Sequence, residues 1–355
     1  IVGANPGRSG HRLSVEAGRT VLDTRDITAE LFNIDDPFQV VFTKNATEAL
    51  NLALLGLLRE GDHVVTSSME HNSVMRPLRY LEKQGIAVTT VPCPSRSCID
   101  PEMVQKAIRP ATKLIVMTHA SNVTGTIMPV REIGRIAKSH GVPFCVDAAQ
   151  SAGALPIDVA DMNISLLAFT GHKSLFGPQG TGGLYIRKGL ENKIAPLMTG
   201  GTGSKSEFEE QPDFMPDKFE SGTPNTPGLA GLGAGIEFIM KEHIDTIRSR
   251  EILLTKRFLD GLRVIPSVKI YGPGDAESRT SIVSFNIGER MPSDVSGELD
   301  DSYGIMSRPG LHCAPSAHTT IGTFPTGTVR FSFGFFTTED EIDYAVKAID
   351  KIASK

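Results

Sequence analysis

Residues 166–174 read Leu-Leu-Ala-Phe-Thr-Gly-His-Lys-Ser, a run of four apolar residues that ends in a polar, glycine-containing turn. Such a run is typical of a strand that helices cover on both faces. Residues 143–150 have the same form, because Pro-Phe-Cys-Val precedes Asp-Ala-Ala-Gln. Together the two stretches predict an α/β domain with a largely parallel sheet.

The same alternation of short apolar runs and helical patterns extends over the first 190 residues. It predicts seven strands in the large sheet and helices that include residues 47–58 and 130–139. The strands are expected at 40–43, 63–66, 87–91, 114–118, 143–146, 166–169 and 183–186.

Residues 199–228 are rich in Gly, Pro, Glu and Asp, which predicts a long functional loop. From residue 229 we expect a helix, then strands at 281–287 and 329–333, then a closing helix from Glu339. This order predicts a smaller α+β domain. We therefore expect a large domain over residues 15–228 and a small C-terminal domain over 229–355, with residues 1–14 packing near the latter.

Composition narrows the class of protein. A chain of 355 residues suggests about two domains, and its net charge of −5 argues against nucleic acid or an anionic membrane as the main partner. The longest apolar stretch, residues 49–58, is too short to span a bilayer. The first residues carry no secretory signal, and the absence of an initiator Met predicts further residues upstream.

The cysteines add a second constraint on the class. Cys93 and Cys98 are expected at the surface and Cys145 in the core, and the spacing of the four cysteines shows no zinc-type pairing. The sequence therefore predicts a cytoplasmic protein without a metal site.

Ligands of open α/β sheets bind beyond the carboxyl ends of the strands. After the first strand, Asn45 and Glu48 resemble a capping box, and the helix start behind it is a natural seat for phosphate. Asp147 ends an apolar strand, where a carboxylate is costly to bury without a positive partner. Two interpretations of Asp147 remain: it caps a helix, or it pairs with a protonated ring nitrogen.

Lys173 precedes the glycine-rich residues 177–183, so a phosphate-loop lysine must be considered. That loop requires glycines where this sequence has Leu167 and His172, which excludes it. An ordinary surface lysine remains the other interpretation, although its apolar and glycine-rich setting argues against one.

Seven motifs together resemble one family, the fold-type-I pyridoxal-phosphate (PLP) enzymes of the class V aminotransferase and cysteine desulfurase superfamily. The resemblance covers nearly the whole chain. Its motifs are Met-Glu-His-Asn at 69–72, Ser-Asn-Val-Thr-Gly-Thr at 121–126, Asp-Ala-Ala-Gln at 147–150, Thr-Gly-His-Lys at 170–173, Gly-Thr-Pro-Asn-Thr at 222–226, the segment 308–313, and Arg330.

The resemblance implies a role for each residue of a PLP site. Lys173 would hold PLP as a Schiff base and move the substrate's α-proton, and Asp147 would pair with the pyridine nitrogen. His71 would stack on the ring, and Gln150 would bind its phenolic oxygen. The other cofactor-binding residues implied are Ala46, Thr47, Asn122, Thr170, His172 and, from the second subunit of a homodimer with shared sites, Thr223.

The reaction depends on residues 308–315, Arg-Pro-Gly-Leu-His-Cys-Ala-Pro, which resemble the nucleophile loop of the short-loop cysteine desulfurases. Arg308, His312 and His318 are expected to favour the thiolate of Cys313. Lys173 would then remove the α-proton of L-cysteine, and Cys313 would take the sulfur as a persulfide and leave alanine.

Substrate binding and partners are also implied by the resemblance. Asn122, Arg330 and Arg308 would bind the substrate's carboxylate, and a sulfur-acceptor protein is a possible partner. Family members usually begin with a strand and an Asn-Ala-Ala-Thr-like turn that contributes to the active site. This sequence lacks both before Asn5, so the sequence does not predict which residues form the substrate entrance.

Alternatives remain for the reaction itself. Cys313 can be a structural thiol at the rim of the site. The protein can be a selenocysteine lyase acting on selenocysteine, a class V aminotransferase, or a PLP-binding scaffold without turnover. Lys173 and Arg330 argue against the scaffold, which needs neither.

Overall fold

The computed structural model describes residues 4–7, 10–94 and 98–355. The helices are α1 (Arg12–Leu31), α2 (Ala46–Leu57), α3 (Asn72–Glu82), α4 (Pro101–Ala107), α5 (Val130–Ser139), α6 (Thr226–Glu242), α7 (Ile244–Arg263), α8 (Pro292–Tyr303), α9 (Pro315–Ile321) and α10 (Glu339–Ala353). The strands are β1 (Val40–Thr43), β2 (His63–Ser67), β3 (Ala87–Val91), β4 (Thr112–Thr118), β5 (Phe144–Asp147), β6 (Leu166–Thr170), β7 (Gly182–Ile186), β8 (Val268–Tyr271), β9 (Ile282–Ile287), β10 (Arg308–Gly310) and β11 (Thr328–Ser332).

Seven strands form the large sheet, in the order β1-β7-β6-β5-β4-β2-β3. Only β7 runs antiparallel to its neighbours β1 and β6, and the other pairs are parallel. Every residue of β5 and β6 is buried, as expected for strands with helices on both faces. The predicted mostly parallel, seven-stranded α/β sheet is confirmed, and each strand lies within two residues of its predicted position.

Apolar side chains form a separate core on each face of the large sheet. On one face, Phe144 and Phe169 pack with helices that include α5 and α6. On the other face, α2 buries Leu50 and Leu54, and α3 adds Leu78. Because α2 lies between the sheet and α3, it is apolar on most sides.

The C-terminal part contains an antiparallel sheet of four strands, in the order β10-β11-β9-β8, with α7, α8 and α10 packed around it. Its core includes Phe258, Phe285 and Phe331. The domain boundary after residue 228 stays a prediction, since α6 begins at Thr226 and packs on α1. The placement of residues 1–14 near the small domain also stays a prediction.

Two differences from the sequence prediction concern the C-terminal part. Residues 308–315, which resemble a loop, begin with the short strand β10, whose Pro309 is accommodated because the strand lies at the sheet edge. Strand β8 was not predicted at all. Within the described residues, no helix is long and apolar enough to cross a membrane.

Candidate active site

A cavity of about 230 Å³ lies at the carboxyl ends of five strands of the large sheet: β1, β2, β4, β5 and β6. Nine of the predicted cofactor-binding residues line it: Ala46, Thr47, His71, Asn122, Asp147, Gln150, Thr170, His172 and Lys173. Asn45, Ser73, Thr118 and Ala149 complete the lining and were not predicted. Since these residues are scattered over 130 positions, the parallel topology is what brings them together.

Asp147 and Lys173 interact at the floor of this cavity. Asp147 is buried, and its Oδ1 accepts a hydrogen bond from the Ala149 N–H at 2.9 Å. Burial raises the pKa of Asp147, while that N–H and the Lys173 ammonium act in the opposite direction. Burial also lowers the pKa of Lys173, against the attraction of Asp147. A lysine with a lowered pKa has a larger fraction of neutral amine, the form that reacts with a carbonyl group.

His71 lies at the start of α3 and is neutral at pH 7. Its Nδ1 accepts the Ser73 N–H at 3.0 Å, so the proton of the neutral ring is on Nε2. Burial, assisted first by the positive charge of Lys173, lowers the pKa of His71 to about 4. The Ser73 hydroxyl also contacts Thr47 Oγ1 at 2.7 Å, which links the ring to the start of α2.

The start of α2 lines the cavity with Ala46 and Thr47, and the first N–H groups of a helix, which have no partner within it, are a natural seat for phosphate. The Asn45 side chain caps the helix by accepting the Glu48 N–H at 3.0 Å. The return bond of the predicted capping box is displaced by one residue, because Glu48 accepts from the Lys44 N–H instead. Strand β7 passes close to this turn: a Cβ on Gly182 would lie 2.8 Å from Asn45 Cα. Glycine is therefore required where β7 crosses the helix start.

Cys313 lies on an exposed turn beside the cavity. A neighbouring cleft of about 540 Å³ is lined by Cys313 and shares Thr47, His71 and Ser73 with the first cavity. The Arg308 guanidinium reaches Cys313 Sγ at 3.6 Å. The thiol is thus accessible and adjacent to a positive charge, the setting that favours a reactive cysteine.

His312 and His318 do not contribute to that charge, contrary to expectation. Both rings are buried, and burial lowers the pKa of His312 to about 3 and that of His318 to about 4. The His312 Nε2 contacts Thr328 Oγ1 at 3.0 Å, and His318 Nδ1 contacts Thr323 Oγ1 at 2.7 Å. At pH 7 both rings are neutral, so Arg308 is the cation that contacts the thiol.

Arg330 and Arg308 are paired across β11 and β10, so the small sheet presents two guanidinium groups toward the same region. Arg330 Nη1 donates to the Asn122 backbone carbonyl at 2.9 Å. Burial lowers the pKa of Arg330 to about 10, which leaves it charged at neutral pH. This contact directs Arg330 toward the loop after β4.

Thr223 lies away from the Lys173 cavity of its own chain. It is exposed and lines a separate cleft of about 190 Å³ together with Lys44, Leu197 and Met198. This is the position expected of a residue that serves the site of a second chain, and that role stays a prediction.

Glu70 lies directly before His71 in the motif at 69–72, but no role was predicted for it. Its side chain is fully buried and accepts hydrogen bonds from the Ser67 hydroxyl at 2.5 Å and the Thr118 N–H at 2.9 Å. Burial raises the pKa of Glu70 to about 8. Ser73 and Thr118 were missed as well, although Thr118 ends a strand and its position was therefore a detectable signal.

The fold and the site define a class: an α/β enzyme with a lysine and a buried carboxylate at the carboxyl ends of parallel strands, and a cysteine at the rim. The chain belongs to the class-V aminotransferase family, whose model matches residues 2–345. It is 37% identical to a probable cysteine desulfurase of Methanothermobacter thermautotrophicus, over 99% of this chain and 88% of that protein. It is 36% identical to a probable cysteine desulfurase of Pyrococcus abyssi, over 98% and 87% of the two chains.

Solved structures show the same likeness. The apo structure of a cysteine desulfurase from Thermococcus onnurineus NA1 superimposes with a TM-score of 0.91 at 36% identity, covering 99% of this chain and 88% of that one. The fold resembles a cysteine desulfurase over essentially all of its length.

Proposed function

We propose that the protein is a PLP-dependent cysteine desulfurase that converts L-cysteine to L-alanine and takes the sulfur on Cys313. The observation that carries this proposal is one arrangement. Lys173 and Asp147 share a cavity, and Cys313 lies beside Arg308 on the cleft that adjoins it. An aminotransferase has no need of an accessible thiol at that place. The relatives named cysteine desulfurases support the same reaction.

The residues of the cavity fit PLP. Asp147 is buried at a cost that the Ala149 N–H and the Lys173 ammonium only partly offset, so a protonated pyridine nitrogen would supply a further positive partner for its carboxylate. Ala46, Thr47, Thr170 and His172 would supply polar groups for the phosphate near the start of α2, and Gln150, which lines the same cavity, would bind the phenolic oxygen. Lys173 would hold the cofactor covalently, and His71 would cover the ring.

PLP, when bound, supplies an electron sink that acidifies the substrate's α-proton and weakens the bond between the substrate's Cβ and its sulfur. The protein performs the rest. The Lys173 amine, with its lowered pKa, removes the proton at Cα and later returns one. The neutral His71 ring carries its proton on Nε2 and can exchange it with the substrate's sulfur.

The sulfur is transferred to Cys313 by nucleophilic attack on the substrate's sulfur. The thiolate of Cys313 attacks the substrate's sulfur, a new S–S bond forms, and the C–S bond breaks with its electron pair moving toward carbon. The Cβ of the substrate takes a proton, so alanine leaves and Cys313 is left as a persulfide. The Arg308 guanidinium contacts the sulfur atom that makes this attack.

Arg330 and Asn122, with Arg308 nearby, form the proposed site for the substrate's carboxylate. Arg330 is charged and its fork matches two carboxylate oxygens. We further propose a homodimer in which the partner's Thr223 completes the phosphate site, and a thiol-bearing acceptor that accepts the persulfide sulfur. A nucleophilic free thiol functions in a reducing compartment, so we place the protein in the cytoplasm.

The test is a product assay on purified PLP-loaded protein with L-cysteine and a reductant, measuring alanine and sulfide. We expect Cys313→Ala to lower sulfide production by at least 100-fold while the visible absorbance of bound PLP is retained. Cys98→Ala, at the other exposed cysteine, is the matched control and should remain active. Full desulfuration by Cys313→Ala would refute the persulfide step. Amino transfer to a keto acid without sulfide release would favour the aminotransferase.

A further inference from the structure

His312 and Cys313 form an unusual turn in the backbone. Both have positive φ, 49° and 58°, in the left-handed region that residues with a side chain seldom adopt. Two such residues in succession cost conformational free energy and persist only where surrounding contacts hold them. The turn that presents the nucleophile therefore depends on its partners.

The backbone carbonyls of the turn accept hydrogen bonds from two loops of the large sheet. The Asn122 side-chain amide donates to the His312 carbonyl at 2.7 Å, and the Asn72 N–H donates to the Cys313 carbonyl at 2.8 Å. Of these two hydrogen bonds, only the one from Asn122 is made by a side chain, so a mutation can remove it. Asn122 is also buried, which shields the bond from competition with water.

We infer that Asn122 is a positioning residue for Cys313: its side-chain amide holds the strained turn that aims the thiol at the substrate's sulfur. This rests on the proposed desulfurase function and adds to the carboxylate-binding role proposed above. An amide has a second N–H, so one side chain can hold the turn and still contact a carboxylate. The backbone carbonyl of Asn122 is held in turn by Arg330.

The loop that carries Asn122 is itself rigidly held, which makes it a suitable support. The fully buried guanidinium of Arg279 donates to the Thr124 carbonyl at 2.6 Å, and the Ser284 hydroxyl donates to the Val123 carbonyl at 2.5 Å. Both donors come from the C-terminal part of the chain. The turn that carries Cys313 is therefore held by the Asn122 loop, and that loop is held in turn by Arg279 and Ser284 from the C-terminal part of the chain.

The decisive variant is Asn122→Asp, which keeps the shape of the side chain and replaces the donor with an acceptor facing the His312 carbonyl. Ser121→Ala is the matched control, because the Ser121 hydroxyl caps the same loop at the Val123 and Thr124 N–H groups without contacting the turn. Absorbance of bound PLP confirms that each variant is folded and loaded.

Activity on two substrates separates the two roles of Asn122. Desulfuration of L-cysteine needs Cys313, whereas selenium leaves L-selenocysteine with less help from a cysteine. We expect Asn122→Asp to lower the ratio of kcat/KM for cysteine to that for selenocysteine at least tenfold, with Ser121→Ala within twofold of the wild type. An equal loss on both substrates would assign Asn122 to the carboxylate alone and overturn the inference.

A second readout is independent of catalysis. The rate at which iodoacetamide labels Cys313, relative to the exposed Cys98, is measured by mass spectrometry on the PLP-loaded protein. We expect this ratio to change at least threefold in Asn122→Asp and not in Ser121→Ala. An unchanged ratio overturns the inference. A wild type that labels as expected but does not desulfurate cysteine would instead refute the proposed function.

Discussion

Glu70 illustrates what a single buried residue contributes at this site. It is fully buried behind His71 and accepts from the Thr118 N–H, so it connects the end of β2 to the end of β4. Its pKa rises from 4.5 to about 8, first because burial disfavours the charged form and in part because Asp147 is near. At pH 7 the Glu70 carboxyl is therefore protonated, so it places no negative charge beside Asp147.

This pKa predicts how stability changes with pH. As the pH rises from about 5 to 8, the unfolded chain loses the Glu70 proton while the folded protein keeps it. The folded state then binds more protons, so the free energy of unfolding falls over this range. Glu70→Gln cannot titrate, and its amide can still accept from Thr118 and donate to Ser67. We expect the stability of the wild type relative to Glu70→Gln to fall by on the order of a few kcal/mol between pH 5 and pH 8.

Urea unfolding of both proteins at pH 5, 6.5 and 8 measures this difference. Glu209→Gln, on an exposed loop, is the matched control for the loss of one carboxyl group. Parallel curves for the wild type and Glu70→Gln would show that Glu70 is not the protonated group.

Helices α5 and α8 each contain an internal glycine, and the two glycines have opposite surroundings. A Cβ on Gly134 of α5 would lie 1.9 Å from the Met162 carbonyl oxygen, whereas a Cβ on the exposed Gly297 of α8 would meet no atom within 4 Å. We expect Gly134→Ala to destabilise the protein by about 1–3 kcal/mol, because α5 must move off the chain it packs against. Gly297→Ala should stabilise it by about 0.5–1 kcal/mol through helix propensity.

Thermal unfolding of both variants beside the wild type checks this pair, and each serves as the control for the other. If both variants were more stable, or both less stable, than the wild type, the close approach of Met162 to Gly134 would not determine the effect of the substitution on stability.

The elements that the sequence predicted well share one physical property. Fully apolar runs such as those of β5 and β6 are buried on both faces, and the position after each run is fixed by the topology of a parallel sheet. That is why Asp147 and Lys173 could be placed in one site from the sequence. Strand β8 was not predicted because only its last residue is buried. Strand β10 was not predicted because it is three residues long and contains a proline.

Contacts between distant side chains lay beyond prediction from the sequence. Cys93 was expected at the surface, yet it is buried, its N–H bonds to the Ser68 hydroxyl, and burial raises its pKa to about 11. The bond from Asn122 to the His312 carbonyl joins residues 190 positions apart. Neither leaves a local pattern, because each depends on how two loops meet after folding.

At the scale of the whole molecule, the position of Thr223 bears on assembly. The cleft that contains Thr223 also contains Leu197 and Met198, which are 42% and 47% exposed. Apolar side chains beside a polar residue with an expected role in a second site are typical of a surface that another subunit covers. In the proposed homodimer this surface brings the partner's Thr223 to the phosphate of PLP, so dimerisation and cofactor affinity should be coupled.

Met198→Asp tests that coupling, because a carboxylate at a buried interface is costly without a positive partner. We expect this variant to be monomeric at micromolar concentration and to bind PLP several-fold more weakly, since the partner's Thr223 no longer reaches the site. Met306→Asp introduces the same charge at a methionine that is 88% exposed and outside the cleft, so it should remain dimeric with unchanged affinity. Sedimentation velocity measures the assembly, and equilibrium dialysis measures the Kd for PLP. A Met198→Asp monomer with full PLP affinity would show that each chain builds its phosphate site alone.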